Sequence, residues 1–242
     1  MKKSAFFLAA LCSGSLLVAS CSSDKAADST ATTTETTTTE GAASGDMAGM
    51  DHSAGATGSA AAGGDSPLMA SMNEMMQKME ASKPKGNTDH DFAHHMLEHH
   101  KGAVAMADIQ LRDGKDATMR QMAEKIKADQ LKEITELEAV ATRLDSAPTN
   151  YKPNDPADPF TSKMKASMDG MMQNMPKPVA NPDMNFNMLM TVHHQSAVDM
   201  AKAELAHGKD TKLKEMAQMM ITAQEKEIAE FKAWHDKNTD KM

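Results

Sequence analysis

Hydrophobic residues recur at steps of three and four along most of the chain after residue 66, which is the period of an amphipathic α-helix. The clearest stripe consists of Phe92, Met96, His99, Ala103 and Met106. A second stripe further on consists of Met119, Met122, Ile126, Gln130, Glu133 and Leu137. The alternation of apolar and polar residues that marks a strand is not seen. The pattern therefore predicts an all-α protein.

Residues that favour helix ends divide this pattern into separate helices. Asparagine and aspartate favour the position before the first turn of a helix, and glycine favours the position after its last turn. The expected starts of the four long helices are Asn87, Asp116, Asn181 and Asp210, and the expected stops are Gly114 and Gly208. The result is two helical hairpins with short turns.

The two hairpins are copies of each other, related by a constant offset in the sequence. Matching pairs include Phe92 and Phe186, Met96 and Met190, His99 and His193, His100 and His194, Met106 and Met200, and Glu133 and Glu227. A short methionine-rich helix precedes each hairpin. Because neither copy can bury its apolar stripe alone, we expect residues 66–242 to form one antiparallel four-helix bundle. Its repeats are about 66–145 and 159–237.

The chain before residue 66 differs from the rest in composition. Two lysines precede a short apolar run, which is typical of a secretory signal peptide over residues 1–20. The segment ending at Cys21 resembles a bacterial lipobox, in which that cysteine is lipidated. Residues 21–65 are rich in Ser, Thr, Ala and Gly, and we expect them to form a disordered tether. The sequence thus predicts an envelope lipoprotein at an outer membrane or facing the periplasm, or at the surface of a host with one membrane.

The overall composition argues against a nucleic-acid-binding protein and shows an unusual methionine content. The net charge is −8 and the chain has no Lys/Arg-rich face, so we expect no nucleic-acid binding. The two cysteines, Cys12 and Cys21, both lie within the first 21 residues, which leaves the predicted bundle without thiols. Methionine, by contrast, occurs 25 times. A function has to account for this methionine content.

The paired histidines are the clearest candidates for chemistry. His99 precedes the turn at Gly114 by about as many residues as Glu133 follows it, so the antiparallel helices bring both to a similar height. The second copy repeats this spacing. The histidines and glutamates of both copies would then form one polar layer inside the bundle. This layer is either hydrogen-bonded without a ligand or a metal site. The first copy has further histidines at i, i+4 and i, i+5 spacing, and these favour a metal: His90, His94, His95 and His100. Among them, His95 and His99 offer an i, i+4 pair to one ion.

The methionines also allow two interpretations. Methionine fills cores well, but leucine would serve equally. Leu68 is nevertheless the only leucine in the two short helices. Thioether and imidazole groups without thiols are the ligand set for copper in an exported protein. The tether carries Met47, Met50 and His52, in a motif similar to those of periplasmic copper-resistance proteins. Packing gives no reason for methionine in a tether.

The segments 92–107 and 186–201, each followed by a Gln-x-x-Glu-Ile motif, resemble the bacterial family called domain of unknown function 305. This resemblance implies a ferritin-like four-helix fold and, for some exported members, copper binding and copper tolerance. The residues that it indicates as ligands are Met96, His99, His100, Met106, Met190, His193, His194 and Met200. The second copy has Met188 and Leu189 in place of His94 and His95, so we expect the two halves to bind unequally.

Three functions are consistent with the sequence. The first is a lipid-anchored protein without enzymatic activity that sequesters or transfers copper, as Cu(I) through methionine and also as Cu(II) through histidine, with a copper chaperone or efflux component as partner. The second is a ferritin-like di-metal oxidase that uses His99, His193, Glu133 and Glu227, although the returning helices lack Glu-x-x-His motifs. The third is a structural or interaction bundle whose His and Met residues only pack. The first explains the methionine content best.

Overall fold

The structure is a computed structural model, and it describes residues 66–241. These residues form six α-helices and a short 3-10 helix, and no strand occurs among them. The α-helices are α1 (Pro67–Ala81), α2 (Thr88–Asp113), α3 (Ala117–Arg143), α4 (Pro159–Gln173), α5 (Pro182–His207) and α6 (Thr211–Lys237). The all-α fold predicted from the hydrophobic pattern is confirmed. Within the described residues, no helix is long and apolar enough to cross a membrane.

The helices begin and end where the sequence pattern predicts. Asn87 accepts a hydrogen bond from the His90 backbone at the start of α2, and Asp116 accepts one from Met119 at the start of α3. At the end of α2, the Gln110 side chain folds back over Gly114, where a Cβ atom would collide with the Gln110 amide. A larger residue at this position would therefore displace the Gln110 side chain, whose amide donates to Asp183.

The four long helices form an antiparallel bundle. α2 packs on α3 and α5 packs on α6, as the two predicted hairpins. α2 also packs on α5 in the opposite direction, because Asp89 at the start of α2 accepts hydrogen bonds from Lys209 and Asp210 after the end of α5. Trp234 near the end of α6 donates to Asp116 before α3, so these helices are antiparallel as well. One long crossover joins α3 to α5, the connection that ferritin-like bundles have; the closer likeness to ferritin stays a prediction.

The two short helices dock on the outside of the bundle. α1 packs on α2, where Gly102 leaves room for Met75, and a Cβ atom at Gly102 would lie 2.5 Å from the Met75 sulfur. α4 packs on α5, where the matching position is Ser196. There the Ser167 hydroxyl donates to the Ser196 carbonyl over 2.8 Å. The two copies thus use different contacts to hold the same arrangement.

The core between these helices is rich in sulfur. The fully or almost fully buried methionines are Met72, Met75, Met79, Met96, Met106, Met119, Met171, Met184, Met190, Met200, Met216 and Met220. Phe186 and Phe231 are also buried and meet edge to face, with ring centroids 5.8 Å apart. Packing therefore accounts for many of the methionines, because a flexible side chain fills irregular space in a core with few aromatic residues.

Candidate metal centre

Two histidines meet at the crossing of α2 and α5. The rings of His99 and His193 are fully buried, and their centroids lie 3.7 Å apart with 31° between the planes. The Nε2 of His193 donates to the His99 carbonyl over 3.0 Å. Both ring nitrogens of His99 and the Nδ1 of His193 have no hydrogen-bond partner among the described residues. Buried polar atoms without a partner are rare, and a bound ion or proton network is one reason for them.

The neighbouring histidines pair with the corresponding glutamate in each copy. His100 Nε2 lies 2.7 Å from a Glu133 carboxylate oxygen, and His194 Nε2 lies 2.9 Å from one of Glu227. The second contact lacks the angle of a good hydrogen bond. Sequence spacing placed both glutamates opposite His99 and His193, but the structure pairs them with the next residue along. Neighbouring residues on a helix differ by only about 1.5 Å in height but by about 100° in direction. Matching heights along the bundle therefore cannot tell which of two neighbouring histidines faces the glutamate.

The histidines at the crossing are neutral. Burial, reinforced by the other histidines of the cluster, lowers the pKa of His99 and His193 well below its usual value. Burial would raise the pKa of Glu227, but His194 and Lys125 outweigh it and hold this pKa below its usual value. Neutral imidazole is the form that binds a metal. The cluster therefore combines buried histidines in the form that can bind a metal with the Glu227 carboxylate at its edge.

The methionines that the family resemblance indicates as ligands lie on the same two helices. Met96, Met106, Met190 and Met200 have no exposed surface. An ion would reach these sulfur atoms only if the helices moved apart. Their role as ligands stays a prediction.

A set of methionine side chains, most of them partly exposed, lines a cleft beside α2. This cleft, which we call the thioether cleft, has a volume of about 570 Å³. Its methionines come from α1 and α4 and are Met76, Met79, Met164, Met168 and Met172. His95 of α2 also lines it, with its Nδ1 bonded to the Asp91 carbonyl over 2.9 Å. This bond leaves the Nε2 of His95 available to an ion, whereas His99 lies in the core. Joint binding of one ion by His95 and His99 stays a prediction.

Three further residues come together near the start of α2. One ligand atom from each of His90, His94 and Asp145 lies within 4.8 Å of the others. Burial, together with His90, lowers the pKa of His94. The i, i+4 spacing of the two histidines is visible in the sequence, but Asp145 follows α3 and is 55 residues from His90. Sequence spacing alone does not bring these three residues together as a site.

Some predicted residues lie outside the part of the chain that the structure describes. They are the lipidation residue Cys21 and the tether residues Met47, Met50 and His52. Their roles stay predictions.

The fold and these sites define a class: a duplicated antiparallel helical bundle with a buried histidine cluster and a methionine-lined cleft. The chain belongs to the family described as domain of unknown function (DUF305), whose sequence model matches residues 89–235. The family predicted from the paired motifs is thereby confirmed. No curated protein sequence matches the chain significantly.

Solved structures of two other proteins resemble the fold. A DUF305 fragment from Deinococcus radiodurans is 25% identical, with the match covering 64% of this chain and 99% of that one at a TM-score of 0.47. CopM in the Cu(I)-bound form is 24% identical, with coverage of 62% and 96% and a TM-score of 0.47. CopM in the Ag-bound form obtained by soaking is 24% identical, with coverage of 62% and 95% and a TM-score of 0.47.

Proposed function

We propose that this protein binds copper in the cell envelope and either stores it or passes it on. The observation that carries the proposal is the thioether cleft, where five methionine side chains and His95 line one space. The two cysteines of the chain, Cys12 and Cys21, lie outside the bundle, so the cleft has no thiol. Thioether and imidazole ligands select Cu(I), and imidazole also accepts Cu(II).

Except for Met79, which is buried, the methionines of the cleft are explained by core packing less completely than those of the bundle. Met172 is 57% exposed. Met76, Met164 and Met168 are half-buried. Because part of each of these side chains stays in contact with water, burial alone gives less reason for methionine there, and we propose that the sulfur atoms bind an ion. Ligand exchange among several thioethers would let an ion enter and leave the cleft without breaking the bundle.

The buried histidine cluster supports the same function. His99, His100, His193 and His194 each have at least one ring nitrogen without a hydrogen-bond partner among the described residues. A di-metal oxidase fits this arrangement less well, because the glutamates contact His100 and His194 while the rings of the other two histidines stack against each other. We propose that the lipid anchor at Cys21 holds the domain at a membrane, where a copper chaperone or efflux component would exchange copper with it.

The test is a Cu(I) titration of the full chain against a chromogenic chelator. Cys12 and Cys21 are changed to Ser and the tether ligands Met47, Met50 and His52 to Ser, so that only the bundle binds; this is the reference chain. Changing Met164, Met168 and Met172 together to Leu keeps the volume and removes three sulfur atoms. We expect at least one equivalent of Cu(I) to bind at least tenfold more weakly.

The matched control is Met219→Leu, because Met219 on α6 is 57% exposed, as Met172 is, but does not line the cleft. This control should bind Cu(I) like the reference chain. If the triple variant also bound like the reference chain, the thioether cleft would not be the copper site. If the reference chain bound no Cu(I) at all, the proposed function would be wrong.

A further inference from the structure

We propose that His90, His94 and Asp145 form a separate site for a divalent transition-metal ion, which we call the His-His-Asp site. The rings of the two histidines lie one turn apart on α2 with centroids 4.3 Å apart. His90 is 3% exposed, His94 is half-buried, and the Asp145 side chain is 62% exposed. The site therefore runs from the core to the surface, so an ion can enter without movement of the helices.

The distance between two of the ligand atoms fits a bound ion. His90 Nε2 and Asp145 Oδ1 are 3.3 Å apart. Two ligands bound to Zn²⁺ at about 2.0 to 2.1 Å and at the tetrahedral angle are separated by about 3.3 Å. The two atoms thus already have the spacing that a shared ion requires, and His94 supplies a third ligand atom from the same side.

The orientation of His90 is set by a carboxylate on its other side. His90 Nδ1 lies 2.7 Å from Asp91 Oδ1. Asp91 in turn accepts hydrogen bonds from the Lys85 and Gly86 backbone and from the Tyr151 hydroxyl, at 2.9, 2.8 and 2.7 Å. A histidine that donates one ring N–H to a carboxylate while the other nitrogen binds a metal is the usual arrangement around metal-bound histidine.

This arrangement leaves His90 between two carboxylates. With Nδ1 directed at Asp91, Nε2 is the ring nitrogen that faces Asp145, so it is the atom of His90 that a shared ion would contact.

Lys85 is the internal competitor for this site. Its Nζ lies 2.5 Å from Asp145 Oδ1 and 3.2 Å from the Asp145 carbonyl. The Lys85 side chain is 50% exposed, so it can turn into the solvent when an ion binds. Exposed ion pairs of this kind contribute little to stability. Removal of the lysine charge should therefore strengthen metal binding.

The second copy of the repeat has none of these ligands. The residues that correspond to His90, His94 and Asp145 are Met184, Met188 and Thr239. The residue that corresponds to Asp91 is Asn185, whose side chain bonds to the Val179 backbone instead. The His-His-Asp site thus belongs to one half only, which gives one divalent ion per chain at this site.

The ligand set separates this site from the thioether cleft. Two imidazoles and a carboxylate suit Cu²⁺ and Zn²⁺, and a site of nitrogen and oxygen ligands binds Cu²⁺ more tightly than Zn²⁺. Cu(I) prefers thioethers, so it should not compete strongly here. The proposal therefore goes beyond the copper function proposed above and does not depend on it.

The experiment measures Zn²⁺ binding by calorimetry and Cu²⁺ binding by electron paramagnetic resonance, both on the reference chain. Asp145→Asn and His94→Gln each remove one ligand at an accessible position. We expect either change to weaken Zn²⁺ binding at least tenfold, and His94→Gln to remove one nitrogen coupling from the Cu²⁺ spectrum. Lys85→Gln should strengthen Zn²⁺ binding several-fold.

The matched controls are Asp129→Asn, which removes a surface carboxylate that is also paired with lysines, and His235→Gln, which removes a partly exposed histidine. Both should bind Zn²⁺ and Cu²⁺ like the reference chain, and circular dichroism verifies that every variant is folded. If Asp145→Asn and His94→Gln bound like these controls, the His-His-Asp site would be refuted. If the variant with Leu at Met164, Met168 and Met172 lost Cu(I) binding but kept Zn²⁺ binding, the result would support the thioether cleft as the Cu(I) site. It would also show that the His-His-Asp site binds Zn²⁺ independently of the cleft.

Discussion

Replacing Glu204 by Gln should change the dependence of stability on pH. Glu204 is fully buried near the end of α5, beside the carboxylate of Asp89, and neither of its carboxyl oxygens has a hydrogen-bond donor among the described residues. Burial and Asp89 raise the pKa of Glu204 to about 9. The corresponding residue of the first copy is Gln110, whose amide donates to Asp183 over 2.5 Å. At neutral pH, protonated Glu204 can donate to Asp89 in the same way.

The magnitude follows from the difference between the folded and unfolded pKa. The unfolded carboxyl has a pKa near 4.3, so between about pH 4.5 and 9 the folded state holds a proton that the unfolded state has lost. The stabilisation is complete below the unfolded pKa and is lost as the pH rises through the folded one. Over this window the free energy of unfolding falls by up to about 1.4 kcal/mol per pH unit. Between pH 5.5 and 8 this amounts to about 3 kcal/mol at most.

The assay is urea unfolding, followed by circular dichroism at pH 5.5, 7 and 8. Glutamine cannot ionise, so Glu204→Gln should lose this part of the pH dependence and gain stability over the natural chain as the pH rises. Gln110→Glu, which places a second carboxyl beside Asp183, should steepen the dependence. Glu138→Gln, at an exposed residue of α3, is the control and should leave it unchanged. Equal slopes for Glu204→Gln and the natural chain would refute the reasoning, because Glu204 would then not carry a proton at neutral pH.

Two further changes test the packing and the buried cluster. Gly102→Ala should lower the free energy of unfolding by about 1 to 3 kcal/mol, because the added methyl group meets Met75. Adding Met75→Ala to the same chain should restore the space, so a double variant whose destabilisation is simply additive in urea unfolding would contradict this explanation. Replacing His99 and His193 together by Leu should maintain or raise stability, since it removes a buried polar pair. Cu(I) binding at the thioether cleft should survive this change, and its loss in the chelator titration would place the copper in the core instead.

Much of the fold follows from local features of the sequence. Asparagine and aspartate before each long helix and glycine after α2 and α5 mark the ends because capping and backbone freedom are properties of single residues. The steps of three and four correctly indicate that His99 and His193 point into the core. These features depend on one helix at a time, so one sequence suffices to predict them.

Features that depend on contacts between distant segments could not be predicted in the same way. The pairing of Glu133 with His100 depends on how far α3 is rotated against α2, which height along the bundle does not specify. Asp145 reaches His90 only because the segment after α3 lies beside Lys85 and Gly86. The thioether cleft requires α1 on α2 and α4 on α5 to dock on the same side of the bundle. Each of these arrangements is set by the packing of the whole bundle.

The contact between His99 and His193 has a consequence for how such a protein can change in evolution. These residues correspond in the two copies, so a dimer of one copy would place one histidine against itself across a twofold axis. In such a dimer, every substitution occurs twice. Joining the copies in one chain lets a substitution occur once, so one half can hold His90 and His94 while the other holds Met184 and Met188.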